Sequence, residues 1–206
     1  MDALIIFIKN PILGKVKTRL AAAIGDREAL VIYTELLRLT RTAALAYYAK
    51  ANRNLKIYLY YSDAATPHDD WDNRIFIKKT QLQVADLGAR MKAAFAEVFT
   101  DGAQRAVIIG SDCPHLMADI LDAGFAALRN YDVTLGVAED GGYYLLGLQE
   151  MQAILFDEMQ WSTSTVATET LRRATENSLT VHLLPTLRDV DTIADWRVYV
   201  DEIHQI

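Results

Sequence analysis

Short apolar runs alternate with amphipathic helical stretches along this chain, and that alternation limits its possible folds more than any other feature. Residues 3–8 (ALIIFI) are almost unbroken hydrocarbon, the pattern of a parallel strand buried on both faces. Residues 55–60 (LKIYLY), 74–78 (RIFIK), 105–110 (RAVIIG), 133–137, 143–148 and 179–184 read as further strands. Between them, residues 27–50 place Leu30, Tyr33, Leu37, Ala44 and Tyr48 on one helical stripe, interrupted by Arg41. Residues 86–99 do the same with Leu87, Met91, Ala94, Phe95 and Val98, and residues 117–128, 165–175 and 193–203 give three more helices. Strands that alternate with helices predict an α/β fold, with a mostly parallel sheet covered on both faces. The turn Glu139-Asp140-Gly141-Gly142 between two strands predicts one hairpin, which makes the sheet mixed. No repeat, low-complexity segment or linker divides the chain, so one domain over residues 1–206 is expected.

Composition excludes several classes. A single cysteine, Cys113, rules out an internal disulfide framework and any multi-cysteine zinc site. No apolar run approaches the roughly 18 residues of a membrane helix, and the N-terminal apolar run lacks the positive flank of a signal peptide. The expected location is the cytoplasm. With 27 Asp+Glu against 21 Lys+Arg, net charge −6, the chain is not expected to bind nucleic acid. Oligomeric state is not legible: Tyr47, Tyr60 and Tyr61 suit an interface or a core equally.

The charge is unevenly spread. Residues 3–25 contain no acid but carry Lys9, Lys15, Lys17 and Arg19, a cationic island that suits one anionic ligand. In open α/β sheets ligands bind beyond the carboxyl ends of the strands, which selects the loop 9–19 after the first strand and the loop 111–115 after the fourth. The first loop holds Pro11 and a single glycine, Gly14, among Lys9, Lys15, Lys17, Thr18 and Arg19. It is neither a P-loop nor a dinucleotide fingerprint. It fits a nucleoside diphosphate or triphosphate gripped mainly by side chains. In the second loop, Asp112 at a strand tip suits a hard cation such as Mg²⁺ shared with substrate phosphate; a turn-and-cap role is the competing reading. Cys113 reads as a small buried hydrophobe with no base to activate it.

Three other segments carry candidates. Asp140, Gly141, Gly142 and Tyr143 make a hairpin turn whose acid and tyrosines suit a ribose or sugar. Asp191 is either a second cation ligand or, with Thr192, the cap of the last helix. Arg90, one turn into its helix, can reach a phosphate, and Trp161 can wall a pocket.

Taken in order, Pro-x-x-Gly-x-x-Lys-Thr-Arg-Leu (11–20), Asp-Leu-Gly-x-Arg-Met (86–91), Gly-Ser-Asp-x-Pro-x-Leu (110–116), Asp-Gly-Gly-Tyr (140–143), Trp-Ser-Thr (161–163) and Asp-Val-Asp-Thr (189–192) resemble a bacterial family of uncharacterised glycosyltransferase-A-fold, nucleotide-diphospho-sugar transferase-like proteins. Some members of that family are linked to arsenosugar synthesis, and its wider superfamily includes guanylyl- and cytidylyltransferases. The resemblance runs from Ile5 to about Trp196. It implies a three-layer α/β/α sandwich and a metal-dependent transferase using a nucleotide-activated donor, most of all a nucleotide sugar. By the same resemblance the loop 11–19 binds nucleotide phosphates, Asp112 and Asp191 hold Mg²⁺ or Mn²⁺, and the Asp140 loop faces sugar or acceptor. Asp140 and Asp191 are the candidates for the catalytic base. One departure matters: the usual Asp-x-Asp metal motif is here Ser111-Asp112-Cys113, with one aspartate. That keeps open nucleotidyl transfer to a phosphorylated acid or sugar. A nucleotide-binding protein without chemistry is the third expectation.

Overall fold

The computed structural model describes residues 1–51 and 54–204. Strands β1 (Asp2–Ile8), β2 (Leu55–Tyr61), β3 (Phe76–Thr80), β4 (Arg105–Ile109), β5 (Val133–Ala138), β6 (Tyr143–Leu148) and β7 (Val181–Leu187) form one sheet in the order β3-β2-β1-β4-β6-β5-β7. Only β6 is reversed; it runs antiparallel to β4 and β5, and the other pairings are parallel. Helices α1 (Thr18–Ile24), α2 (Asp26–Lys50), α3 (Leu87–Thr100), α4 (Ala118–Ala127), α5 (Val166–Glu176) and α6 (Ile193–Ile203) accompany it. The result is the three-layer α/β/α sandwich with a mostly parallel, mixed sheet.

The layers follow from the period-two alternation of β1. Leu4, Ile6 and Ile8 pack with Tyr33 and Leu37 of α2 and Leu121 and Phe125 of α4 on one face. Ala3 and Ile5 pack with Met91, Phe95 and Val98 of α3 and Ala167 and Ala174 of α5 on the other. A smaller cluster of Leu20, Ala29, Ile32, Leu36 and Val190 ties α1 and α2 to the segment before α6. Tyr47, Tyr60 and Tyr61 all lie in the core. No helix among the described residues is long and apolar enough to cross a membrane.

Most predicted elements stand within a few residues of their observed bounds, and the differences have local causes. The expected strand 74–78 begins at Phe76, because Asp72 holds the backbone N–H and guanidinium of Arg74 in a turn. The strand expected at 179–184 is β7, two residues later. Leu179 N–H instead closes the end of α5 on Ala174 O. Pro185 is tolerated because β7 is an edge strand. On α2 the buried position is Tyr47, stacked on Phe125 at 5.3 Å, rather than its neighbour Tyr48. The short helix α1 starts inside the stretch read as the basic loop, and Lys17 is its N-cap.

Sequence-adjacent strands β1 and β2 pair on one side of β1, while β4 pairs on the other. The strand order therefore reverses between β1 and β4, and a crevice opens beyond their carboxyl ends.

Candidate active site

That crevice is a cleft of about 750 Å³. Its floor is the ends of β1 (Ile8, Lys9) and β4 (Ile109 to Cys113). Its walls come from the start of α1, the first turn of α3, the β5–β6 hairpin, residues 161–164, and Asp189 and Asp191.

The loop after β1 is held firmly. Asn10 accepts the Asp63 N–H at 3.0 Å and donates its amide to Ala64 O at 2.9 Å. The Tyr33 hydroxyl accepts the Lys9 N–H at 2.8 Å and lies 3.3 Å from Ser111 Oγ, so α2 clasps both strand-end loops. Gly14 turns the chain in the left-handed region, φ 75°, and Val16 is buried beneath. Pro11, Gly14 and Lys15 consequently stand exposed and outside the cleft, whereas Lys9, Lys17, Thr18 and Arg19 line it.

The Lys17 ammonium is already engaged by the protein itself. Its ammonium donates to Val190 O at 2.6 Å and pairs with Asp112 Oδ1 at 2.8 Å and Asp191 Oδ1 at 3.2 Å. Burial on its own lowers the pKa of that ammonium; the Asp112 and Asp191 carboxylates outweigh burial and raise it above the usual lysine value. Arg19 reaches Asp191 more loosely, at 3.7 Å, and stays exposed.

The capping alternatives for these acids fall away. The N-cap of α4 is Met117, not Asp112, and it makes no side-chain cap. The N-cap of α6 is Thr192, in a capping box with Asp195, which leaves Asp191 outside that role. Ahead of α5, Thr163 donates to Gln160 O, and Thr165 is the N-cap without a side-chain cap bond. Asp86 does cap α3. Val190 N–H donates to Asp112 O at 2.8 Å, which ties the segment before α6 to the end of β4 and brings the two carboxylates together.

Asp189 joins them from the same segment. Its Oδ1 is sealed from solvent without a hydrogen-bond partner. Burial, then the negative charges of Asp112 and Asp140, push its pKa up to about 7. Cys113 is buried, and burial pushes its thiol well up, so it is no nucleophile. His115 pairs with Glu202 at 2.7 Å and tethers α6.

Asp140 sits at the rim, where its Oδ1 accepts the Gly142 N–H at 2.8 Å. Gly141 has φ 88°, and a Cβ there would collide with the Ser164 carbonyl. Gly141 thus backs the hairpin against residues 161–164, while Gly142 and Tyr143 face the cleft. On the α3 side, Gln81 donates to Ile8 O and Tyr60 O and presents its own oxygen to Arg90 Nη1 at 2.9 Å. Arg90 thereby lines the cleft in an apolar and aromatic setting of Leu87, Met91, Tyr143 and Trp161. Trp161 packs so closely on Gly88 that any Cβ at that position would strike its indole.

The structure therefore gathers Lys9, Lys17, Thr18, Arg19, Arg90, Asp112, Asp140, Gly142, Tyr143, Trp161 and Asp191 around one cleft. Sequence reasoning missed Tyr33, Gln81 and Ser111 as site-builders and gave Asp189 no role of its own. The Asp-x-Asp spacing of 189 and 191 was the available signal for the last.

Among the described residues no three His, Cys, Asp or Glu side chains form a metal cage. Two carboxylates converging on one cationic atom, Lys17 Nζ, nevertheless fit a hard divalent ion that brings phosphate oxygens as its remaining ligands.

Residues 44–163 match a family of uncharacterized proteins conserved in bacteria, DUF2064. The chain belongs to this family. A crystal structure of a protein from Desulfovibrio desulfuricans G20, provisionally assigned as a nucleotide-diphospho-sugar transferase, resembles this DUF2064 chain with TM-score 0.82 and 29% identity, over 96% of this chain and 85% of that one. The inositol-1-phosphate CTP transferase of T. maritima shares the fold (TM-score 0.59, 12% identity, 96% and 93% covered). So does a manganese complex of Rv0371C from Mycobacterium tuberculosis H37Rv (TM-score 0.51, 16% identity, 97% of each chain). No curated protein matches this DUF2064 sequence.

Proposed function

We propose that this chain is a nucleotide-utilising transferase, acting as one domain on a nucleotide-activated donor, most of all a nucleotide sugar. The observation that carries this reading is the convergence of Asp112, Asp191 and Lys17 beside Lys9 and Arg19 at the switch point of the sheet. A diphosphate needs cations on one side and an ion-holding pair of acids on the other, and this corner provides both. The D. desulfuricans protein, similar over 96% of this chain, supports the sugar-donor version.

In this reading Lys9 and Arg19 neutralise the diphosphate. Asp112 and Asp191 hold Mg²⁺ or Mn²⁺, which supplies Lewis-acid stabilisation of charge on the leaving phosphate oxygens. Arg90, fixed by Gln81, orients the donor from the α3 side. Tyr143 and Trp161 exclude water from the reacting bond. Asp140, exposed at the rim, is the candidate to take the acceptor's proton. Nucleotidyl transfer is the second reading, favoured by the single aspartate of Ser111-Asp112-Cys113.

Product analysis separates them. Incubated with a panel of nucleotide sugars and nucleoside triphosphates in Mg²⁺ or Mn²⁺, the protein is expected to release a nucleoside diphosphate from one nucleotide sugar. Pyrophosphate released from a triphosphate would instead establish nucleotidyl transfer. Binding without either product would reduce the site to a nucleotide-binding one.

A further inference from the structure

The cations of the cleft are not equivalent. The Lys17 side chain is 6% exposed, against 79% for Arg19. Lys17 lies between two acids that reach it from distant parts of the chain, Asp112 after β4 and Asp191 before α6. Its own backbone is left-handed, φ 47° and ψ 49°, a conformation that non-glycine residues seldom adopt. Asp112 and Asp191 are each a little under half exposed, so their open sides face the cleft.

This arrangement has a consequence for ion entry. Two carboxylates brought to one point repel each other unless a cation lies between them, and Lys17 supplies that cation from within the chain. A divalent ion seeking the same oxygens meets an ammonium already in place, and two cations cannot share so small a space without a further anion. We propose that Lys17 is the resident counter-cation of the Asp112–Asp191 pair, and that it yields those carboxylates to a divalent ion only when a phosphate group enters the cleft to receive its ammonium. This inference rests on the proposed function for the identity of the anion, though not for the role of Lys17.

The side chain suits the exchange. Four methylenes let the ammonium swing from acid to phosphate without moving α1. The Val190–Asp112 backbone bond keeps the carboxylates together once Lys17 has left. Ion and phosphate then bind as a pair, so the free protein does not hold an ion that would later have to be stripped of a water shell. Lys17 is thus a positioning residue that sets the order of binding.

The test is a Mn²⁺ titration followed by electron paramagnetic resonance, on wild type and Lys17→Met, first without any phosphate ligand. Removing the competing ammonium is expected to tighten Mn²⁺ binding by about tenfold or more. In wild type, inorganic pyrophosphate or UDP is expected to strengthen Mn²⁺ binding far more than it does in the variant. If circular dichroism shows Lys17→Met unfolded, Lys17→Gln replaces it, since it removes the charge and keeps a polar donor on that side chain. Equal or weaker Mn²⁺ binding in the folded variant overturns the proposal. A wild type that binds no nucleotide, beside a variant that still binds Mn²⁺ more tightly, upholds the counter-cation role and removes the nucleotide reading instead.

Discussion

Asp112→Asn is expected to lower turnover by ~10²–10³-fold while leaving the protein folded. Asparagine keeps the shape of the side chain and removes the charge that holds the ion and anchors Lys17. The fold survives because Lys17 keeps Asp191 and the Val190 carbonyl as partners, and because the Asp112 side chain is 45% exposed. Losing one of the three partners of this buried ammonium costs about 1–3 kcal/mol, so the unfolding midpoint should fall modestly while the fold persists. The check is product release beside thermal unfolding on the same preparation. A variant with full turnover would remove Asp112 from the chemistry. A variant that loses turnover and unfolds together would make its role structural.

The second large effect is on stability and belongs to Asp189. In the folded state its carboxyl titrates near 7; in the unfolded chain it titrates near the ordinary 3.8. Between those values the folded state holds a proton that the unfolded state has lost. Stability from this group therefore falls as pH rises from about 4 to about 7 and is level above that. The full displacement corresponds to roughly 4 kcal/mol. Asp189→Asn carries no charge to bury and escapes the penalty. Urea titrations of both proteins should give equal stabilities near pH 4 and a variant more stable by up to that amount above pH 7. Other carboxylates titrate in both proteins, so the difference isolates Asp189. A difference that does not grow with pH would mean the buried oxygen is solvated.

How much of this was legible follows from which interactions are local. The strands were readable because parallel strands buried on both faces leave unbroken apolar runs, as in residues 3–8. The Asp140 hairpin was readable because Gly141 must take a positive φ. Lys17 was recognisable as a cation, but its partners were not: Asp191 is 174 residues away, and only the fold brings it near. The same holds for the Tyr33 hydroxyl, which looked like one more position on an amphipathic stripe yet clasps Lys9 and Ser111. Pro11, Gly14 and Lys15 were grouped with the phosphate loop by proximity along the chain. The turn at Gly14 and the burial of Val16 point them away from the cleft. Asp112 and Asp191 were each ambiguous between ligand and cap. The capping box of Thr192 with Asp195, and the uncapped start of α4, removed the competing role from each.

The most direct test is thermal unfolding of the wild type with nucleotides and nucleotide sugars, each with and without Mg²⁺ or Mn²⁺. A ligand bound only by the folded state adds RT ln(1 + [L]/Kd), about 2.7 kcal/mol at a hundredfold excess over Kd. The expected result is a clear rise in midpoint for nucleotides of one base, present with the divalent ion, much reduced without it, and absent in Asp112→Asn. No rise for any nucleotide with either ion would contradict a nucleotide site in this cleft.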